Sequence, residues 1–260
     1  MPYREKKIIS GQMVEVEIYP ISLKEKNLPR KKKAKESPPK LKNLNDKNAK
    51  KHFIRIVNTN FTDKDIVIHL TYSNDKLPKT LDEAKRDAAN FIRRLNHYRK
   101  KNNLPAMKYI IVTEYHEPDT NDKRKRIRIH HHIILSGMDR DIAESFWGKG
   151  RANADRLQSD EFGFEGLARY LCKDPQGYKR WTQSKNIEQP DYKPPNDNKY
   201  SRRKVQEMAR NSDDREMFEK KYPKFIFNDC RVEVNPVTGL TSLYIRMRLR
   251  ADQIVRPKRE

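Results

Sequence analysis

No run of this chain approaches the roughly 18 consecutive apolar residues that cross a membrane, and its opening stretch, MPYREKKIISGQ, lacks the apolar core that directs secretion. A cytosolic chain is therefore expected. Cysteine is scarce: Cys172 and Cys230 stand far apart and form no CxxC pair. That spacing excludes a thiolate zinc site and gives no reason to expect a structural disulfide. There is no GxxxxGK[ST] phosphate loop and no internal repeat. Apolar residues are only 35% of the chain, so a core requires them to be concentrated, and they are, in short runs at 66–72, 109–113 and 133–135. Acid is the scarcer charge, with 36 Asp and Glu against 58 Lys and Arg, a formal net charge of +22. Such a surplus does not dictate a fold. It favours a polyanionic partner, because each Lys or Arg that neutralises a phosphate releases a counterion.

Residues 12–18 alternate, Val14, Val16 and Ile18 against Glu15 and Glu17, and read as a strand. The Lys- and Pro-rich stretch 24–42 reads as a flexible basic linker. A helix is expected over 43–58, capped by Asn45 or Asp46, and a strand over 66–72. A stronger helix is expected over 80–101, where Thr80 and Glu83 have capping-box spacing and Ala84, Ala88, Phe91, Ile92 and Leu95 form a stripe. Strands at 107–115 and 127–136 flank a charged loop. A short helix at 139–147, a short strand at 152–157 and a helix at 165–173, stopped before Pro175, follow. Residues 176–199 are polar and without period. Residues 201–222 read as two helical pieces broken near Ser212, and 225–234 with 240–249 as a hairpin around Asn235-Pro-Val-Thr-Gly239. The order suits an α+β fold, a central, mostly antiparallel sheet with flanking helices. The chain divides into a strand and basic linker (1–42), a core (43–175), a polar loop (176–200) and basic helices with a hairpin (201–260).

The densest chemical signal is Ile129-His130-His131-His132-Ile133. On a strand, His130 and His132 share a face with Cα atoms roughly 6.5–7 Å apart, close enough for two imidazoles to meet at one ion, while His131 faces the other way. Neutral imidazole is a ready metal ligand. A third ligand is expected from a neighbouring strand: Glu114, which ends the strand before, with His116, Glu117 and His69 as rivals. The second signal is Tyr170-Leu-Cys-Lys173 on a helix, where Tyr170 and Lys173 share a face. A tyrosine hydroxyl, with an ordinary pKa of about 10, is a poor nucleophile alone; beside a divalent ion and a lysine it is set to attack phosphorus.

In these motifs the chain resembles the HUH endonucleases, specifically the rolling-circle replication initiators of Gram-positive phages, plasmids and related mobile elements. The His-x-His pattern is His130-His131-His132, with histidine where the family has an aliphatic residue, followed by the apolar triplet Ile133-Ile134-Leu135. The tyrosine motif Tyr-x-x-Lys is Tyr170 to Lys173. The first strand motif is similar to Ile68-His69-Leu70-Thr71-Tyr72, with His69 in place of the family's usual residue, and the acidic ligand falls on Glu114. The His pair precedes the tyrosine, the order of replication initiators and the reverse of conjugative relaxases. The likeness covers 43–174 and extends more loosely beyond.

The resemblance implies a ferredoxin-like or RRM-like sheet within 43–175, with His130, His132 and Glu114 holding Mg²⁺ or Mn²⁺. It implies Tyr170 as nucleophile, joined to the 5′-phosphate of single-stranded DNA at an origin hairpin and leaving a free 3′-OH primer, with Lys173 positioning the phosphate. With no phosphate loop of its own, the chain would need a host helicase and DNA polymerase in the cytoplasm of a bacterial cell. Tyr72, Tyr115, Arg93, Arg94 and Arg99 are candidates to touch nucleotides, with Tyr72 equally readable as core, and Arg202, Arg203 and Lys204 to grip duplex phosphates or, equally, to form a basic solvated helix face. Two competing readings remain: a non-catalytic RRM-like nucleic-acid-binding protein, which leaves the His pair and Tyr170 unexplained, and a relaxase or transposase with the same nicking chemistry.

Overall fold

The first strand hides its character. β1 (Tyr3–Ser10) carries Glu5 and Lys7 among its apolar residues and shows no clean alternation, yet Tyr3, Glu5, Ile8 and Ser10 are all buried. Glu5 lies inside because it has partners: Lys199 Nζ and Tyr222 Oη each donate to its Oε1 at 2.6 Å. β1 turns through Gly11 into β2 (Met13–Pro20), its antiparallel neighbour. Gly11 has φ +58°, and a Cβ there would stand 2.0 Å from the Asn58 carbonyl oxygen, so only glycine fits. These coordinates are a computed structural model, which describes residues 1–22, 39–116, 127–172 and 180–253.

The chain forms two compact units. One comprises Met1–Thr59, Asp160–Glu165 and Gln189–Glu260; the other comprises Asn60–Ser159 and Gly166–Glu188. In the first, the hairpin of β10 (Phe225–Val234) and β11 (Thr241–Leu249) pairs through β11 with β2, and the short strands β8 (Asp191–Tyr192) and β9 (Asn196–Tyr200) pair with β1. Every pairing is antiparallel. The period-2 pattern of β2 divides the sheet's faces. Val14, Val16 and Ile18 join Leu243, Ile245 and Met247 in a core closed by α5 (Arg202–Arg210) and α6 (Arg215–Lys221), through Val205, Met208 and Phe218. The opposite face presents Glu15 to α1 (Pro39–Asn60), where Arg55 grips it with two bonds of 2.6 and 3.0 Å and Tyr244 Oη donates a third of 2.6 Å. Burial alone would raise the Glu15 pKa; Arg55 and the Tyr244 hydroxyl outweigh it and hold the carboxyl below its ordinary value.

The second unit is a five-stranded antiparallel sheet in the order β6 (Ala152–Arg156), β3 (Ile66–Leu70), β5 (Ile127–Leu135), β4 (Tyr109–His116), β7 (Thr182–Gln183). One face is a dry core in which Ile66, Ile68, Leu70, Ile133 and Leu135 meet α2 (Leu81–Lys101) and the Trp147 that follows α3 (Arg140–Ser145). The expected stripe on α2 is the buried one, and Thr80 caps it by accepting from Glu83 N. The other face carries His69, His130, His132 and Glu114, and α4 (Glu165–Leu171) brings Tyr170 to it.

The α+β class and the antiparallel pairing agree with expectation, but there are two sheets where one central sheet was expected. Strands β1, β7, β8 and β9 went unforeseen because all are polar edge or near-edge segments, and three are five residues or fewer. The helix expected over 43–58 starts at Pro39, so Asn45 and Asp46 lie inside α1 and do not cap it. Of the basic stretch 24–42, residues 24–38 lie outside the described residues, as do the loop 117–126 and Lys173.

Candidate metal centre and tyrosine site

Register builds the site. In the β4–β5 hairpin Glu114 stands directly opposite His130, and His132 lies between His69 on β3 and Val112 on β4. Because β-strand side chains alternate, Glu114, His130, His132 and His69 all point from the face opposite the dry core. The two imidazole Nε2 atoms are 3.1 Å apart, and Glu114 Oε2 lies 3.4 Å from His130 Nε2 and 3.3 Å from His132 Nε2. Among the described residues this trio is the one group of side chains whose donor atoms converge as metal ligands do.

The donor set fits a divalent cation. His130 Nδ1 is 2.8 Å from the Arg128 carbonyl oxygen, which only accepts, so Nδ1 carries the proton and Nε2 offers its lone pair. His132 Nδ1 has a partner of its own, His69 Nε2 at 2.8 Å. His132 is fully buried. Burial above all, then the neighbouring histidines, pushes its pKa down to about 3, so it stays a neutral nitrogen ligand at neutral pH. With His132 in the tautomer that also offers its Nε2 lone pair, two lone pairs and a carboxylate oxygen face one another, an arrangement that a cation among them would satisfy. Their spacing suits one: ligands roughly 2.1 Å from an ion, at ordinary angles between 90° and 110°, stand about 3.0–3.4 Å apart. Among the described residues three protein ligands converge, so an ion held there would keep further coordination positions open.

Two of the rival ligands are placed elsewhere. His69 bonds the far nitrogen of His132 and does not point a donor into the trio. His116 is buried and outside it, and Glu117 lies outside the described residues.

Tyr170 packs its ring edge-on against His132, centroids 5.5 Å apart, and stacked on His69 at 6.2 Å and 29°. It is 53% exposed, so the ring is packed on two histidines and still open to solvent.

His131, the unusual middle residue of the motif, faces the core and is fully buried. Tyr72 Oη lies 2.9 Å from its Nε2 and Thr113 Oγ1 2.9 Å from its Nδ1, so both ring nitrogens are satisfied. Burial first, then the charge of His130, drives its pKa down to about 4. Tyr72, open to reading as a nucleotide contact or as core, is a core residue, 6% exposed, with its hydroxyl 2.9 Å from His131 Nε2. Arg99 is also structural, donating to the Pro105 and Gly137 carbonyls. Arg94 donates to the Phe146 carbonyl, while Arg93, Arg202, Arg203 and Lys204 are exposed. No local pattern encodes the partners behind the trio, the Arg128 carbonyl and the His69 ring; strand geometry and cross-strand register create them.

Residues 65–175 match the family model of the Replication-associated protein ORF2/G2P. The match runs from the start of β3 past α4 and contains Glu114, His130, His132 and Tyr170. It supports a role associated with replication. No curated protein and no solved structure matches the chain. No helix among the described residues is long and apolar enough to cross a membrane.

Proposed function

We propose that this protein initiates rolling-circle replication by nicking single-stranded DNA with Tyr170, in the manner of an HUH endonuclease. One observation carries the reading: a Glu–His–His donor trio and an exposed tyrosine, anchored on one of its histidines, lie on one sheet face inside a segment matching a replication-associated family. A non-catalytic binding sheet has no use for three metal donors held at ligand spacing beneath such a tyrosine.

Glu114, His130 and His132 would hold Mg²⁺ or Mn²⁺, which would supply Lewis-acid polarisation of the scissile phosphate. The Tyr170 hydroxyl oxygen attacks phosphorus; the Oη–P bond forms as the P–O3′ bond breaks, and the hydroxyl proton is made good on the departing 3′ oxygen. The 5′-phosphate stays on Tyr170, and the free 3′-OH primes a host polymerase. Because the ester keeps the bond energy, a later 3′-OH reseals the strand without a nucleotide cofactor. Lys173 would act as a point charge on the phosphate. Exposed Arg93 contacts the single strand, and Arg202, Arg203 and Lys204 of the other unit contact duplex phosphates. The origin hairpin, a host helicase and a bacterial cytoplasm complete this reading.

The test is a covalent-adduct assay with labelled single-stranded hairpin oligonucleotides and Mn²⁺, read on a denaturing gel. The protein is expected to form an adduct that EDTA abolishes. Tyr170→Phe is expected to lose it with Mn²⁺ affinity unchanged, and His130→Ala/His132→Ala to lose both. DNA binding without any adduct would return the protein to the binding-module reading.

A further inference from the structure

His69 is not one of the metal donors, yet it touches both halves of the site. Its Nε2 lies 2.8 Å from His132 Nδ1, and its ring stacks on Tyr170. It reaches that place by register, since His69 on β3 is the direct cross-strand partner of His132 on β5. Its own ring sits 3.9 Å, centroid to centroid, from that of His132 at 88°, an edge-on packing.

We infer that His69 is a positioning residue that couples the metal ligand His132 to the nucleophile Tyr170. A His132 whose Nε2 ligates a cation carries its proton on Nδ1 and donates it to His69 Nε2, which fixes both the tautomer and the angle of the ring. An acceptor behind a ligating imidazole normally holds it in this way. His130 uses a backbone carbonyl for the purpose; His132 uses a side chain, and that side chain has a second surface. The face of His69 that is left open is where the Tyr170 ring lies, so one imidazole sets the ligand and seats the tyrosine. Asn153, the cross-strand partner of His69 on β6, closes the outer side of the row.

This inference rests on the nicking reading for Tyr170 but has its own readout, Mn²⁺ affinity measured by calorimetry on the full chain. His69→Leu keeps bulk and loses the acceptor; it is expected to weaken Mn²⁺ binding by about 10–100-fold, the usual cost of losing such a support, and to slow adduct formation even at saturating Mn²⁺. His69→Gln keeps an acceptor oxygen but offers no ring. It is expected to bind Mn²⁺ within a few-fold of wild type while still forming the adduct slowly, a split that general destabilisation does not produce. If His69→Leu does not fold, the His69→Gln split decides alone. Wild-type Mn²⁺ affinity and adduct rate in either folded variant would overturn the role of His69 and leave the nicking reading intact. A wild-type protein that binds Mn²⁺ but forms no adduct would overturn the nicking reading, while the affinity comparison still decides the His132 support. A wild-type protein that binds no Mn²⁺ overturns both.

Discussion

At the scale of the residue, three consecutive histidines do different work because a strand sends them to different places. His130 and His132 look toward Glu114 and Tyr170; His131 looks into the dry core and closes its hydrogen bonds on Tyr72 and Thr113. Removing the hydroxyl in Tyr72→Phe strands a buried imidazole nitrogen, and the expected loss is about 1–3 kcal/mol of stability in urea unfolding. His131 also makes the metal-free protein sensitive to acid. Its folded pKa, about 4, lies below the ordinary histidine value of about 6.5. The unfolded chain therefore takes up a proton that the native state refuses as pH falls from about 6.5 to 4. Stability is full above that window and is expected to drop through it by up to about 1.4 kcal/mol per pH unit for this group. A urea midpoint that stays flat between pH 7 and 4.5 without metal would refute this.

At the scale of the element, local rules explain most of what forms. Thr80 caps α2, Asp139 caps α3 and Ser201 caps α5, each accepting from the backbone N–H three residues on. The β1–β2 turn has less tolerance than any cap. Gly11→Ala adds a left-handed penalty and a clash with the Asn58 carbonyl, whereas Thr80→Ala costs only a bond at an exposed helix end. Thermal unfolding is expected to place Gly11→Ala well beyond the roughly 0.5–2 kcal/mol of a lost cap. Equal shifts would mean that the turn relaxes freely.

At the scale of the whole molecule, the net charge of +22 governs encounter with DNA more than chemistry. Binding to single-stranded oligonucleotides is expected to survive EDTA, which would stop the proposed nick, and to weaken steeply with salt. If Arg202, Arg203 and Lys204 meet duplex phosphates, replacing all three by alanine lowers the slope of log K against log[salt] by about 3 on duplex DNA, from roughly 0.9 per neutralised phosphate. An unchanged slope would assign them to the solvated face of α5.

The sequence by itself determined the long, well-patterned elements, α2, the β4–β5 hairpin and the β10–β11 hairpin, because period and turn chemistry are local. It also determined that His130 and His132 share a face, because strand alternation is local too. Only the tertiary structure decided what depends on neighbours distant in the chain. It made a second sheet from the two termini, where Glu5 and Glu15 are buried only because Lys199, Tyr222, Arg55 and Tyr244 come to meet them. It sent Tyr72 and Arg99 inward, where a core histidine and free carbonyls needed donors. And it set His69 behind His132, since cross-strand register joins residues that are 63 positions apart and no local pattern encodes it.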